Sequence, residues 1–247
     1  MIDKLGRDIT YLRISLTDKC NLRCRYCMPE EGVCKRSHQE MMNEDEVVTA
    51  VEVAASLGIH KIRLTGGEPL VKRNIVSICR RVAAIEGIKE VCLTTNGILL
   101  PELGKQLREA GVNRLNLSLD TLDPQKYAYI TRIGTLDAFR AGLDAAFEAG
   151  FEKIKINSVL IGGFNDNEIE ALAGLTREYP VDMRFIELMP IGPAADLYFG
   201  TVPFSGKTAK KEPSQKRGKP RKRNRPQNAV APAGTWTFHT AWSSGEG

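Results

Sequence analysis

The chain has 247 residues, 42% of them hydrophobic, and a formal net charge of +5. That is enough apolar material for one large domain, and no uninterrupted apolar run approaches the roughly 18 to 20 residues of a membrane-spanning helix. Met1 to Thr10 lacks the apolar stretch of an export signal, so the expected compartment is the cytoplasm, with no membrane partner and with cysteines kept reduced.

In chain order, Tyr11 to Leu16 reads as a first strand, and Thr17 to Ser37 as a long loop. Asn43 with Glu46 forms a capping signature for a helix carrying Val47, Val48, Val51, Ala54, Ala55 and Leu57 up to a stop at Gly58. Ile59 to Leu64 is the second strand, ending in Thr65-Gly66-Gly67-Glu68-Pro69, and a helix follows through Ile75, Ile78, Cys79 and Val82. The unit then repeats, with strands at Glu90 to Leu93, Arg114 to Leu119, Lys153 to Leu160 and Met183 to Leu188. The helices between them are Pro101 to Ala110, Pro124 to Ile130, Leu136 to Ala149 and Glu168 to Glu178.

Six strand-helix units with short connections predict a parallel sheet with helices packed outside it. An open doubly wound sheet and an incomplete barrel both fit this pattern. A Rossmann sheet needs a Gly-rich fingerprint after the first strand, where cysteines stand instead. The expected fold is therefore α/β, a partial (βα)6 TIM-like barrel.

After Met189-Pro190 the periodicity fails. Between Ser205 and Pro226 ten Lys and Arg face Glu212 alone, so the basic balance belongs to this segment and the body is mildly acidic. The sequence thus divides into a barrel domain, residues 1–198, and a basic, disordered tail, residues 199–247. Such a tail is a solvated segment first and a nucleic-acid-binding element second. A sheet ended there has an open edge, which invites aggregation or a partner such as a second copy.

Three of the six cysteines, Cys20, Cys24 and Cys27, lie within eight residues in the loop after the first strand. Three thiolates can hold three irons of a four-iron, four-sulfur cubane, and this spacing offers no fourth local cysteine, leaving one position for another ligand. Cys34 is an exposed thiol or a fourth ligand; with it, a zinc-bound structural module with a nucleic-acid-binding tail is a non-enzymatic reading. Cys79 and Cys92 sit in apolar patterns and read as core residues.

Cys20-x3-Cys24-x-Tyr26-Cys27 after a strand resembles the signature of the radical S-adenosylmethionine (SAM) enzymes. The stretches Thr17 to Pro29, Arg63 to Leu70, Leu93 to Gly97, Asn116 to Asp120 and Arg184 to Pro190 resemble, within that superfamily, the GTP 3′,8-cyclases of molybdenum cofactor (molybdopterin) biosynthesis. The resemblance covers about Arg7 to Pro193. It implies a [4Fe-4S] cluster on Cys20, Cys24 and Cys27, with SAM bound at the open iron and surrounded by Tyr26, Gly67, Ser118 and Met189. It implies a GTP site at Arg13, Arg63, Thr94, Lys155 and Arg184, residues read here as lying at or near the carboxyl ends of strands.

The implied activity is a lyase-type cyclisation of GTP to (8S)-3′,8-cyclo-7,8-dihydroguanosine 5′-triphosphate through a 5′-deoxyadenosyl radical, fed by a reductant such as flavodoxin or ferredoxin. A radical SAM enzyme acting on a peptide or protein is the second enzymatic reading. The family also carries a second [4Fe-4S] cluster on three further cysteines near its C-terminus, whereas this chain has no cysteine after Cys92. The composition shift between Pro193 and Ser205 is expected either from a departure from the family's reading frame there or from a natural short paralogue whose tail has another use.

Overall fold

A computed structural model describes residues 2–32, 41–189, 191–197 and 236–239 of the chain. Seven strands form one sheet: β1 (Tyr11–Ser15), β2 (Lys61–Thr65), β3 (Glu90–Thr95), β4 (Arg114–Ser118), β5 (Ile154–Leu160), β6 (Val181–Glu187) and β7 (Trp236–His239). All neighbours are parallel and the spatial order is the sequence order. A doubly wound sheet reverses its strand order at a switch point, so an unbroken order from β1 to β7 decides for the open barrel. The seventh strand is the departure from expectation, because Trp236–His239 falls in the segment read as a tail and pairs with Met183 to Ile186 of β6. The rest of that segment, and Cys34, lie outside the described residues.

Helices α1 (Glu44–Ser56), α2 (Ile75–Ala83), α3 (Leu100–Glu109), α4 (Pro124–Thr131), α5 (Leu136–Glu148) and α6 (Ile169–Glu178) fill the crossovers. The capping box opens α1 as expected: Glu46 N–H donates to Asn43 Oδ1 at 3.0 Å, and Asn43 N–H to Glu46 Oε2 at 2.8 Å. Val47, Val48, Val51 and Ala54 turn inward, whereas Leu57, assigned to the same stripe, is exposed at the C-cap, where 100° per residue carries it off the inward face. None of the described helices is long and apolar enough to cross a membrane.

The strands alternate in a way that sets the site. Leu12 and Ile14, Ile62 and Leu64, Val91 and Leu93, Leu115 and Leu117, Ile154 and Ile156, and Met183 and Phe185 share one face and belong to the core under the helices. The register places the remaining side chains on the opposite face: Arg13 beside Arg63, Arg63 beside Cys92, Cys92 beside Arg114, and Asn116 beside Lys155. Asn157 beside Arg184 completes the set. The barrel interior is thus polar and cationic. Cys92 is buried as expected, but on this inner face between Arg63 and Arg114 rather than in the apolar layer.

Close helix packing has one clear dependence. A Cβ on Gly142 of α5 would overlap the carbonyl of Gly97 in the turn after β3. Gly142→Ala is expected to cost about 1–3 kcal/mol through overpacking, read as a lower denaturant midpoint at unchanged slope.

Candidate functional site

The segment after β1 folds back over the barrel mouth and is held from two sides. On one side, Gly67 N–H donates to Thr17 O at 2.6 Å and Glu68 N–H to Lys19 O at 2.8 Å. A Cβ at Gly67 would come within 2.6 Å of Asp18 O, and one at Gly66 would meet Thr17 O. The two glycines after β2 are therefore required by the backbone of the cysteine loop itself.

On the other side, Arg23 and Arg25 N–H groups donate to Thr131 O and Ile130 O at 3.1 and 2.9 Å, at the end of α4. Arg132, at φ 65°, returns the contact by donating Nη1 to Arg23 O at 2.7 Å and Met28 O at 3.1 Å. Arg25 stacks over Tyr129, 4.1 Å from the ring centre, and donates Nε to Tyr129 O at 2.8 Å.

Buried polar residues at the strand ends finish the rim. Glu68, 1% exposed, accepts hydrogen bonds from Leu70 N, Thr95 Oγ1 and Asn96 N at 3.0, 2.7 and 2.7 Å, joining the turns after β2 and β3. Asn96 donates Nδ2 to Asn21 Oδ1 at 2.7 Å and lies 3.9 Å from Cys20 Sγ, while Leu22 N–H donates to the same sulfur at 3.3 Å. Asp120, after β4, accepts Tyr26 Oη–H at 2.7 Å and Val159 N–H at 2.8 Å. Asn165 donates to Asp120 O and Val159 O at 2.7 and 2.8 Å, tying that rim to β5.

One cavity of about 410 Å³ opens under the loop, lined at its mouth by Cys20, Cys24 and Cys27 and deeper by Arg13, Arg63 and Arg184. Tyr26, Gly67, Thr94 and Ser118 line it too. Two expected residues do not. Met189 follows β6 and is 49% exposed, and Lys155 lies at the opposite end of the strands beside a second cavity of about 440 Å³ with Glu90, Arg114 and Asp182. The nucleotide residues also sit lower than expected: Arg13, Arg63 and Arg184 are mid-strand and Lys155 is the second residue of β5. The pleat explains this, because every second residue along each strand points inward, so the barrel holds layers rather than a single ring at its mouth.

The polar character of the mouth shows in its titrations. Burial, reinforced by Asp120, pushes the Cys24 and Cys27 thiols up, and burial also raises Cys20. Burial lifts Asp120 to about 6, and burial and then Asp120 hold Tyr26 well above the usual phenol. Burial lowers both Arg184 and Lys155, with Arg63 and Arg114 adding repulsion. A metal bound by these thiols must displace their protons.

The sequence profile of the Radical SAM superfamily matches residues 14–176. The chain belongs to that superfamily. Its cofactors are a [4Fe-4S] cluster and SAM. Among curated proteins the chain is 53% identical over 190 residues to a GTP 3′,8-cyclase of Peptoclostridium acidaminophilum, covering 77% of this chain and 58% of the relative. It is 54% identical over 192 residues to one from Pelotomaculum thermopropionicum, covering 78% and 59%. The chain therefore spans about three fifths of the length of the curated relatives it matches. Among solved structures, methylornithine synthase aligns at TM-score 0.60 and 20% identity over 73% of this chain and 53% of that one. Streptococcus suis SuiB bound to S-adenosylmethionine aligns at 0.60 and 19%, over 73% and 41%. Both share the fold.

The donor set fits the superfamily's cluster, because three thiols around one cavity suit a cubane that spreads its ligands over separate irons. N–H groups aimed at Cys20 Sγ are the outer contacts that such a thiolate uses. Asn157 and Asn165 were not legible as site residues. Glu68, Asn96 and Asp120 lie in the strand-end stretches that carry the resemblance, but the partners that give them roles are distant in the chain.

Tyr26→Phe removes the donor to a buried carboxylate oxygen of Asp120. It is expected to cost about 1–3 kcal/mol in stability and to lower iron retained after anaerobic reconstitution. Gly67→Ala is expected to undock the loop and lose most iron while leaving the far-ultraviolet circular dichroism unchanged.

Proposed function

We propose that this chain is the radical-generating barrel of a GTP 3′,8-cyclase, a lyase-type radical SAM enzyme of molybdenum cofactor biosynthesis. The observation that carries the reading is a single cavity with three thiols at its mouth and Arg13, Arg63 and Arg184 below them. A reduced cluster held by this loop would supply one-electron cleavage of SAM and hence radical chemistry at the substrate. Cys20, Cys24 and Cys27 would hold the cluster. Tyr26, Gly67 and Ser118 border SAM in this reading, whereas Met189, the fourth residue of the resemblance, stands exposed outside the cavity. Tyr26 acts by holding the loop, because its hydroxyl is already engaged by Asp120.

Arg13, Arg63, Thr94 and Arg184, which line the cavity, take the nucleotide in this reading, whereas Lys155, the fifth residue of the resemblance, lies at the opposite end of the strands. Arg184 carries two buried N–H groups, at Nε and Nη2, without a partner among the described residues, and a polyanion satisfies them. A cationic interior also favours a nucleotide over a peptide substrate. The loop seals the mouth between Gly67 and α4, which keeps water from a reactive intermediate. The reading includes a one-electron donor such as flavodoxin or ferredoxin, pairing of two copies, and a division at residue 198. Because no cysteine follows Cys92, the ligands of a second cluster are not part of this chain.

Anaerobic reconstitution with iron and sulfide, followed by dithionite and SAM, tests the reading. The parent chain is expected to form 5′-deoxyadenosine, faster with GTP, and Cys24→Ala to form none. Stoichiometric zinc without iron, or no 5′-deoxyadenosine in either condition, sinks it. Arg184→Met is expected to weaken GTP binding about tenfold or more, equivalent to the ~1.5 kcal/mol of one charged hydrogen bond.

A further inference from the structure

The chain places an arginine where its backbone favours glycine. Arg132 follows α4 with φ 65°, and among the described residues no other residue except glycine has positive φ. Glycine adopts that region freely, whereas a bulky L residue there is strained. Such strain persists where the surroundings over-determine it, and it gathers at functional sites. The Nε of Arg132 is also buried without a hydrogen-bond partner among the described residues. Both features cost free energy, so the rest of the side chain must offset them.

The offset lies on the cysteine loop. Cys24 O accepts Cys27 N–H at 2.8 Å and Met28 N–H at 3.1 Å, so Cys24 and Cys27 stand on one tight turn. Arg132 Nη1 donates to Arg23 O and Met28 O at 2.7 and 3.1 Å, the carbonyls of the residues immediately before and after that pair. A single nitrogen thus holds both ends of the turn. The clamp is itself seated. Thr131 Oγ1 donates to Tyr127 O at 2.7 Å and accepts Gly134 N–H at 3.2 Å, and a Cβ on Gly134 would come within 2.8 Å of Leu22 Cδ2. Arg23 donates instead to Cys20 O and Leu22 O, so it serves the Cys20 side and leaves the Cys24–Cys27 turn to Arg132.

Resting on the reading of Cys20, Cys24 and Cys27 as cluster ligands, we propose that Arg132 is a positioning residue for the cluster. Its guanidinium clamps the turn that carries Cys24 and Cys27 and sets the separation of the two thiols before iron arrives. The site is then pre-organised from outside the loop, by the end of α4.

The first test uses the full chain without iron, in a background of Cys20→Ser and Cys34→Ser that leaves Cys24 and Cys27 as the reactive pair, since Cys79 and Cys92 are buried. Dibromobimane, which fluoresces on bridging two neighbouring thiols, reads their separation, and monobromobimane corrects for access. Arg132→Gly removes the side chain and suits the backbone. It is expected to slow bridging about fivefold or more, while the denaturant midpoint stays near the parent's because relief of strain offsets the lost contacts. With all cysteines present, Arg132→Gly is expected to retain less than about half of the parent's iron after anaerobic reconstitution. Arg132→Lys, whose shorter side chain reaches at most one of the two carbonyls, falls between, and the exposed control Arg140→Met changes nothing.

Bridging in Arg132→Gly equal to the parent's overturns the proposal, and so does a lower midpoint with bridging unchanged, which makes Arg132 a residue of stability only. If Arg132→Gly does not fold, Arg132→Lys decides the matter, because parent-like bridging there overturns the two-carbonyl clamp. A parent that takes up no iron overturns both this proposal and the reading of the cysteines. Iron retained equally by the parent and Arg132→Gly overturns this proposal alone.

Discussion

A parallel sheet with two faces of opposite polarity is the constraint on which the rest depends. Most parallel sheets are apolar on both sides because helices cover both. Here the outer face is apolar and sealed by α1 to α6, while the inner face carries arginines, a lysine and asparagines on β1, β2, β4, β5 and β6, with Cys92 and Thr94 on β3. The barrel interior is therefore a polar chamber, and most of the buried apolar surface lies in the outer layer, with a small second cluster near the mouth.

That division makes the mouth a structural problem. A loop rich in cysteine and arginine lies over a polar chamber, so hydrogen bonds share the holding with buried Leu22 and Met28 and with Tyr26, which packs on the small cluster of Ile130, Ile161, Leu188 and Ala194. Gly67 and Glu68 grip it from β2, Asn96 from β3, Asp120 from β4, and the end of α4 closes the remaining side. Each grip comes from a different crossover, so the loop is seated only when the whole sheet is assembled. The seated loop also aims N–H groups at Cys20 Sγ, which couples its order to the chemistry it would support.

Much of this was legible. The strand-helix repeat, the capping box at Asn43 and the cysteine spacing each depend on neighbours within a few residues, and the observed elements start and stop within two residues of the expected ones in most cases. The inward layer was harder to see. Arg63 and Arg184 were singled out by resemblance and share the cavity, but their depth follows from strand register, which no local pattern reports. Cys92 illustrates the limit: its neighbours in sequence are apolar, yet the pleat turns it toward Arg63 and Arg114. Glu68 and Asn165 look like ordinary loop residues until partners about 28 and 45 residues away appear beside them.

What the sequence determined by itself was the unit and its chemistry: repeated strand and helix periods, three thiols in one loop and a series of strand-end motifs, all encoded in short-range spacing. Tertiary structure decided the open-barrel order over the doubly wound one, added β7 from a segment without periodicity, and moved Lys155 away from the cysteine cavity into company with Arg114. The physical reason is that register and layer belong to pairs of strands distant in the chain. A side chain's charge is written locally, but which other charges it must face is settled only when the sheet closes around them.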